Sequence, residues 1–273
     1  MTKEINNRMQ EEDFKLYHNA WLSRIPPHKS KAITTEDASK LLSKGGWMVR
    51  NVFNWDKSSA TSFWYVIKDE YGGIDELPAK VRNQVRKSCK TYDFKKVDAE
   101  EMSENAYELY NKSRARFNDK SLIMTKEQWK SRCQGNDKHL WIGYHKETGE
   151  PFVFATNKVF DDHCDYVSMG VDPNAPSSTY PMYGLILEMN RYYLEELKMK
   201  YVSDGARSIT EHSNIQPFLI EKFKFRIAYC DLQLFYKPWL SLLVKVLYPF
   251  RNIIKNKKIS AILNQESMTR ESY

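Results

Sequence analysis

The spacing of apolar and polar positions predicts alternating helices and strands along most of the chain. Residues 34 to 46 form a helical pattern that Thr34 or Thr35 would cap. Two strand patterns rich in aromatic and branched residues follow, at 47 to 55 and 62 to 69. Because only a polar turn separates these strands, the pattern predicts a long hairpin.

The segment from 75 to 92 predicts a basic amphipathic helix. Its apolar positions recur every four residues, at Leu77, Val81, Val85 and Cys89. Its basic positions are Lys80, Arg82, Arg86, Lys87 and Lys90. A charged helix face usually needs no ligand, whereas phosphate or nucleic acid would bind to the same charges, so both interpretations stay open.

From residue 93 the order of the predicted elements becomes regular. A strand at 93 to 98 precedes helices at 100 to 117 and 125 to 134 and three antiparallel strands at 139 to 146, 151 to 160 and 163 to 172. A long helix from Pro181 to Lys200 then leads to a strand at 201 to 205. A crossover helix makes this strand parallel to its predecessor. A short helix after Asn214 and two strands, FRIAY and DLQLFY, complete the pattern.

Composition places the chain among globular proteins with an anionic partner. Of its 273 residues 41% are hydrophobic and 28% are charged, the mean hydropathy is -0.66, and there is no low-complexity tract. The net charge is +7 and the pI is near 9.0. This charge favours a phosphate-bearing cofactor, a nucleic acid or a lipid surface as partner without choosing among them.

The first residues and the cysteines predict a cytoplasmic protein with free thiols. Residues 1 to 14 lack the apolar core of a signal peptide, and no apolar run reaches the ~18 to 20 residues that cross a bilayer. The four cysteines are far apart and form no CxxC pair, so the sequence predicts neither a disulfide framework nor a zinc site.

The order of the elements resembles the GNAT acyltransferase fold. The segment NIQPFLIEKFKF, residues 214 to 225, is similar to the short fourth helix and sixth strand of that family. The resemblance implies an α/β fold with a mixed, mostly antiparallel sheet flanked by helices. It divides the chain into an N-terminal hairpin and helix extension at 1 to 92, an acyltransferase domain at 93 to 236 and an amphipathic C-terminal tail at 237 to 273.

The resemblance also implies a donor site for acyl-CoA. Asn214 would contact the pantetheine arm, although an Asn before a helix is also explained by capping. In this fold the fourth and fifth strands part, and donor contacts are implied for the backbone of Ser168, Met169, Gly170 and Val171. Ser178 and Thr179 could donate hydroxyl groups to an anion at the start of the following helix, or could cap that helix.

Departures from the family pattern favour a second branch of the same fold. The glycine-rich pyrophosphate loop is absent, Pro181 lacks a backbone donor, and Ile220 stands near the family's usual Tyr acid. The segment SFWYVIKDEYGGIDELPAKVRNQVRKSCKTYDFKKV (62 to 97) resembles a motif of the Fem-type transferases, as does YVSDGARS (201 to 208). That resemblance implies aminoacyl-tRNA as the donor, with a role in making cell-envelope precursors.

Acyl transfer to an amine requires a proton acceptor and donors for the tetrahedral intermediate. Asp204 is the first candidate for a general base or amine-orienting group, and His212 is the second; a turn residue and an exposed loop histidine are the competing interpretations. The cluster DDHCD at 161 to 165 is interpreted as a tight turn, because strand alternation scatters its side chains, so no metal is expected.

The tail from 237 to 258 contains six Lys or Arg residues and no acidic residue. It could lie in the interface of an anionic membrane, or pack on the protein with a basic exposed face. The sequence thus predicts an acyltransferase that moves an acyl group from acyl-CoA to a small-molecule or lipid-linked amine acceptor. The alternatives are a Fem-like aminoacyl-tRNA-dependent transferase and a non-catalytic binding or scaffold protein of the same fold.

Overall fold

The computed structural model describes residues 11–115, 122–208 and 214–270. The strands of these residues are β1 Phe14–Tyr17, β2 Ala20–Ser23, β3 Met48–Lys57, β4 Phe63–Lys68, β5 Tyr92–Val97, β6 Lys138–His145, β7 Pro151–Val159, β8 His163–Val171, β9 Tyr201–Ala206 and β10 Arg226–Tyr236. The α-helices are α1 Thr35–Ser43, α2 Ala79–Thr91, α3 Ala99–Asn105, α4 Tyr107–Ala115, α5 Lys126–Cys133, α6 Pro181–Asn190, α7 Ile215–Phe223, α8 Pro238–Leu247 and α9 Lys257–Arg270. The predicted α/β class with mostly antiparallel strand pairing is confirmed.

The chain divides into two compact units, and the division falls within β4. Of the described residues, unit 1 contains 11–65, 206–208 and 227–270. Unit 2 contains 66–115, 122–205 and 214–226. The domain boundaries after residues 92 and 236 stay predictions.

The sheet of unit 1 is formed by segments far apart in the sequence. β1 pairs with β2 in antiparallel fashion, β2 lies parallel to β3, and β3 is antiparallel to β10. Both strands of the predicted hairpin form, but the hairpin itself is wrong, because the neighbours of β3 are β2 and β10. The predicted strands FRIAY and DLQLFY are one strand, β10, whose register shifts between Tyr229 and Asp231.

Alternation along β3 explains the two apolar layers of unit 1. Val49 lies with Trp21 and Leu41 of α1 in one cluster. Its neighbour Met48 points to the opposite face and lies with Leu240 of α8 in another cluster. Helix α1 begins as predicted, since the Thr34 side chain accepts from the Asp37 backbone N–H (3.1 Å) and Asp37 bonds back to Thr34.

Unit 2 contains the predicted meander and crossover. β5, β6, β7 and β8 pair in antiparallel fashion in that order, and β9 lies parallel to β8, as predicted. Up to residue 115 the predicted helix at 100 to 117 is two helices, α3 and α4, and its last two positions lie outside the described residues. These helices and α5 cover a core that includes Met102, Trp129 and Phe154. The predicted long helix continues beyond α6 as a π-helical segment, Arg191–Glu196.

Helix α2 is the predicted basic amphipathic helix, with one correction. Val81 and Val85 are buried as expected, but Ser88 is buried instead of Cys89, which is exposed. The reason is the close approach of α6, since the Ser88 hydroxyl accepts from the Gly184 backbone N–H at 3.2 Å. A Cβ at Gly184 would lie 2.6 Å from that hydroxyl and 2.3 Å from the Phe94 ring.

The C-terminal helices form a second amphipathic element. Leu240 and Val244 of α8 are buried in unit 1. The opposite face is also apolar but exposed; we call it the α8 surface, and it consists of Trp239, Leu242, Leu243, Val246, Phe250 and Ile253. Packing on the protein is thus confirmed for one face of the helix. No helix among the described residues is both long enough and apolar enough to span a bilayer.

Candidate active site

Strands β8 and β9 of unit 2 separate after a short parallel ladder. Their pairing ends at Asp165 and Ser203, although β8 continues to Val171. Beyond that point β8 pairs with β7, and its register shifts near Val167, which is 48% exposed. A bulge of this kind bends a strand and turns its backbone away from a neighbour. The two strands therefore open on one side; we call this space the β8–β9 opening.

The residues predicted as donor contacts lie along this opening. Ser168, Met169, Gly170 and Val171 belong to the part of β8 that pairs only with β7 among the described strands. Arg114 of α4, which the sequence analysis missed, donates from its guanidinium to the Ser168 hydroxyl and to the Met169 carbonyl, the latter at 3.3 Å. The opening thus combines backbone polar groups of one strand with a cation.

Gly170 has a packing role in the same strand. A Cβ at this position would lie 2.4 Å from the Phe154 ring and 2.5 Å from the Ser113 hydroxyl of α4. Such distances are far inside van der Waals contact, so a side chain here would displace α4. Gly170 therefore holds α4, and with it Arg114, against β8.

Asp204 lies on β9 just beyond Ser203, the last residue of this strand that pairs with β8. Burial raises the pKa of its carboxyl to about 7, a hydrogen bond with Gln216 opposes this shift, and the charge of Asp165 adds to it. A carboxyl with a pKa near neutrality can both accept and return a proton at physiological pH. The first candidate base from the sequence thus has a pKa near neutrality, and its role as a base stays a prediction.

Two residues of β8 complete this environment. Burial raises the pKa of Asp165 to about 6, which the charge of Lys158 partly offsets. Tyr166 is buried, and its hydroxyl donates to the Asn190 side chain at 2.8 Å. Burial and the nearby charges, Asp204 among them, raise the Tyr166 pKa. Tyr166 therefore stays neutral and fixes one wall of the site.

Helix α7 contacts the site through Gln216. Asn214 precedes the helix, but its side chain makes no capping hydrogen bond, so the capping prediction is wrong. The backbone at Asn214 has φ -89° and ψ 22°, outside the extended conformation of a side-chain cap, and the residue is exposed. A pantetheine contact of Asn214 stays a prediction. Gln216, two residues further on, makes the contact with Asp204 that sequence analysis missed.

The sequence predicts that Ser178 and Thr179 either bind an anion at the start of α6 or cap that helix. Tyr180 precedes the helix in the left-handed conformation and forms no side-chain cap, so capping by Ser178 or Thr179 is wrong. The Thr179 hydroxyl is 2.7 Å from the Tyr92 hydroxyl and donates to the Pro176 carbonyl at 2.7 Å. Ser178 is exposed. Anion binding by these hydroxyls stays a prediction, and His212 lies outside the described residues.

The basic face of α2 is a further charged surface of unit 2. It consists of the exposed residues Lys80, Arg86, Lys87 and Lys90. Arg82 has a different role, because its guanidinium donates to the Leu77 carbonyl at 2.9 Å and so ties down the residues before the helix. Thus four of the five predicted basic positions remain exposed to solvent.

Comparison with known proteins identifies the fold. No protein family and no curated protein matches this sequence. Among solved structures, FemX superposes with a TM-score of 0.51 at 10% identity over 73% of this chain and 66% of FemX. The C-terminal domain of a putative lysylphosphatidylglycerol synthetase from Agrobacterium fabrum gives a TM-score of 0.50 at 11% identity, over 86% of this chain and 83% of that domain.

A third structure, L-PGS from Bacillus licheniformis, gives a TM-score of 0.50 at 12% identity over 82% of this chain and 72% of that chain. These similarities support the resemblance that the sequence motifs indicated. The chain has a GNAT-like fold with Fem-type structural relatives. This chain spans just under two thirds of the FemX chain.

Proposed function

We propose that this protein transfers an aminoacyl group to an amine acceptor in the β8–β9 opening, with Asp204 as general base. The observation that carries the proposal is the half-buried Asp204 carboxyl, whose pKa is about 7 and which lies where the two strands part. The proposal is also supported by the fold shared with FemX and a lysylphosphatidylglycerol synthetase domain.

In this mechanism the amine attacks the carbonyl carbon of the donor ester and forms the new C–N bond. The Asp204 carboxylate accepts the proton that the amine loses. The C–O bond to the donor then breaks, and the leaving oxygen receives a proton from Asp204. Gln216 orients the carboxyl, and the charge of Asp165 keeps its proton affinity high enough for this exchange.

Charge on the tetrahedral intermediate would be stabilised from β8. The strand has no partner on the β9 side beyond Asp165 among the described residues, so backbone N–H groups on that side are available to an oxyanion. Arg114 adds a positive charge beside Ser168 and Met169. Both features would hold hydrogen-bond donors in position before the reaction begins. Such preorganised donors stabilise the charge that develops in the transition state.

The donor we propose is aminoacyl-tRNA instead of the acyl-CoA that sequence analysis favoured. The glycine loop for a pyrophosphate is absent, and the Thr179 hydroxyl is already bonded within the protein. The exposed basic face of α2 suits a long phosphate backbone better than a single cofactor.

The acceptor we propose is an amine carried by a membrane lipid. The α8 surface exposes Leu242 at 66%, Val246 at 56% and Ile253 at 73% of their areas. Six basic residues and no acidic residue accompany this surface between positions 237 and 258. An apolar helix face bordered by lysines suits the interface of an anionic membrane. The apolar face would enter the headgroup region while the lysines bind phosphate.

Binding of tRNA at several salt concentrations tests the donor. We expect the triple variant R86A/K87A/K90A of α2 to bind unfractionated tRNA at least tenfold more weakly and with a shallower salt dependence. The matched control is K126A/K130A/R132A on α5, which removes the same charge from the same unit. Equal loss in both variants would contradict the proposed contact. A saturable rise of Tm with coenzyme A at moderate salt would instead support acyl-CoA as the donor.

Sedimentation with vesicles tests the acceptor side. We expect L242E/V246E to bind vesicles containing phosphatidylglycerol about 10- to 100-fold more weakly than the unmodified protein, because it loses apolar contacts and adds negative charge. The control L16E/Y17E changes two exposed apolar residues of β1 in the same way. Binding unaffected by L242E/V246E, or affected equally by the control, would exclude the α8 surface as the membrane contact.

A further inference from the structure

Unit 1 contains a cavity that the proposed transfer reaction does not use. Its volume is about 190 Å³, well above the roughly 30 Å³ that one water occupies in the liquid. Leu22, Ile25 and Val52 form apolar walls, while Arg50 and Tyr65 bring polar groups to the space. The cavity is therefore large enough for a small molecule and contains a strong cation.

Arg50 stands at a core position of its strand. Met48 and Val52, the residues two positions away on β3, point to the same face and are buried in apolar clusters. Across the ladder Arg50 lies opposite Leu22 of β2 and Leu234 of β10. The alternation of β3 thus inserts one positive charge into a row of apolar side chains.

No carboxylate among the described residues pairs with the Arg50 guanidinium. Among the described residues its guanidinium makes no ion pair and no hydrogen bond, and its closest ring contact is Phe63, at 5.1 Å from the ring centre. Burial lowers the Arg50 pKa, and the nearby Tyr65 partly offsets this effect. An arginine remains charged even so, because its ordinary pKa lies above 12.

Two other arginines of unit 1 have structural roles, with carbonyl contacts that differ from the surroundings of Arg50. The Arg207 guanidinium packs on Trp64 and also donates to the Ser62 carbonyl at 2.7 Å. The Arg251 guanidinium packs on the Tyr248 ring at 4.5 Å and donates to the Tyr248 carbonyl at 3.5 Å. Among the described residues Arg50 has no such carbonyl acceptor, and it is partly buried. Its N–H donors therefore lack a hydrogen-bonded partner among the described residues, and Arg50 lines the cavity together with the hydroxyl-bearing Ser23, Ser30 and Tyr65.

We propose that this cavity binds a compact oxyanion, a carboxylate or a phosphate monoester, through Arg50. The planar guanidinium can donate two parallel hydrogen bonds to either group, and its partly buried position strengthens the attraction. The apolar walls fit a short hydrocarbon part attached to the anion. This site lies within unit 1 and does not depend on the proposed aminoacyl transfer.

Thermal shift and calorimetry with defined anions test the site. Purified full-length protein is titrated with inorganic phosphate, glycerol 1-phosphate, acetate and butyrate, against sodium chloride at matched ionic strength. We expect a saturable rise of Tm with at least one oxyanion and none with chloride. A preference for the phosphates or for the carboxylates identifies the class of ligand. No saturable rise with any of the four anions would overturn the proposal.

Two variants and a control assign the effect to the cavity. We expect R50M to keep or raise the Tm of the anion-free protein and to lose the anion response, because it removes a partly buried charge that has no carboxylate partner among the described residues. We expect R50K to bind about tenfold more weakly, since it keeps the charge without the fork of donors. The control R251M should respond as the unmodified protein does. An anion response that persists in R50M, or is lost equally in R251M, would contradict the assignment.

Discussion

Asp204 of unit 2 and Arg50 of unit 1 are both ionisable groups on strands, but their surroundings are opposite. Asp204 of unit 2 has Gln216 and Asp165 near its carboxyl, and its pKa is about 7. Arg50 of unit 1 has no acidic neighbour among the described residues, and its charge persists at any physiological pH. The neighbours of a partly buried group, and its own chemistry, therefore decide whether it exchanges protons or holds a fixed charge. The first kind suits catalysis and the second suits binding.

Substitution of the acid should give the largest effect. We expect Asp204→Asn to lower kcat/KM for aminoacyl transfer by about 10²- to 10⁴-fold, because the amide cannot accept the proton of the amine. Steady-state kinetics with charged tRNA measures this loss. The anion response of unit 1 serves as the control and should be unchanged. Activity that survives the substitution would remove Asp204 from the role of base.

The same substitution should change stability in a pH-dependent way. The native Asp204 pKa of about 7 exceeds the ordinary 3.8, so the folded protein binds more protons than the unfolded chain between these values. Stability therefore falls as pH rises from about 4 to about 7. Asn does not titrate, so Asp204→Asn should gain up to about 4 kcal/mol relative to the unmodified protein between pH 4 and pH 8. Urea unfolding at both pH values tests this gain.

Removing the partner of the acid should move its titration. The hydrogen bond from Gln216 lowers the Asp204 pKa, so Gln216→Leu should raise that pKa. The rising limb of the kcat/KM profile against pH should move upward by the same amount. A profile that stays in place would show that Gln216 does not tune the base.

Unit 1 provides the smallest expected effect and the sharpest contrast. Arg50→Met should leave the slope of stability against pH unchanged between pH 4 and pH 9, because arginine does not titrate there. Urea unfolding at four or five pH values would detect a slope difference of about 0.3 kcal/mol per pH unit. A clear change of slope would mean that Arg50 is coupled to a titrating group, and the contrast with Asp204 would fail.

Local sequence patterns predicted most of the helices and strands. They did not predict which strands pair when the partners lie far apart in the sequence. The Thr34 cap, the antiparallel meander of β6 to β8 and the parallel β9 follow from residues near one another in sequence. The neighbour of β3 could not be predicted, because Arg50 pairs with Leu234, which lies far along the chain. Strand propensity indicates that a segment pairs, but not with which partner.

The candidate site shows the same division. Asp204 was found from its place at the end of a predicted strand, and the strand separation was expected from the fold. Gln216 and Arg114 were missed, because their contacts depend on the angle at which α7 and α4 cross the sheet. Arg50 did carry a signal, since a lone basic residue interrupts an apolar alternation in MVRNV.

The contact of Gly184 with Ser88 fixes the spacing between α6 and α2. Any larger residue at 184 would push α2, and its whole basic face, away from the sheet that bears Asp204. If the basic face of α2 binds the tRNA as proposed, this spacing determines how far the aminoacylated end of the tRNA must extend to bring its ester to Asp204. Gly184 would then set the length of donor that reaches the base, although it does not bind the donor itself.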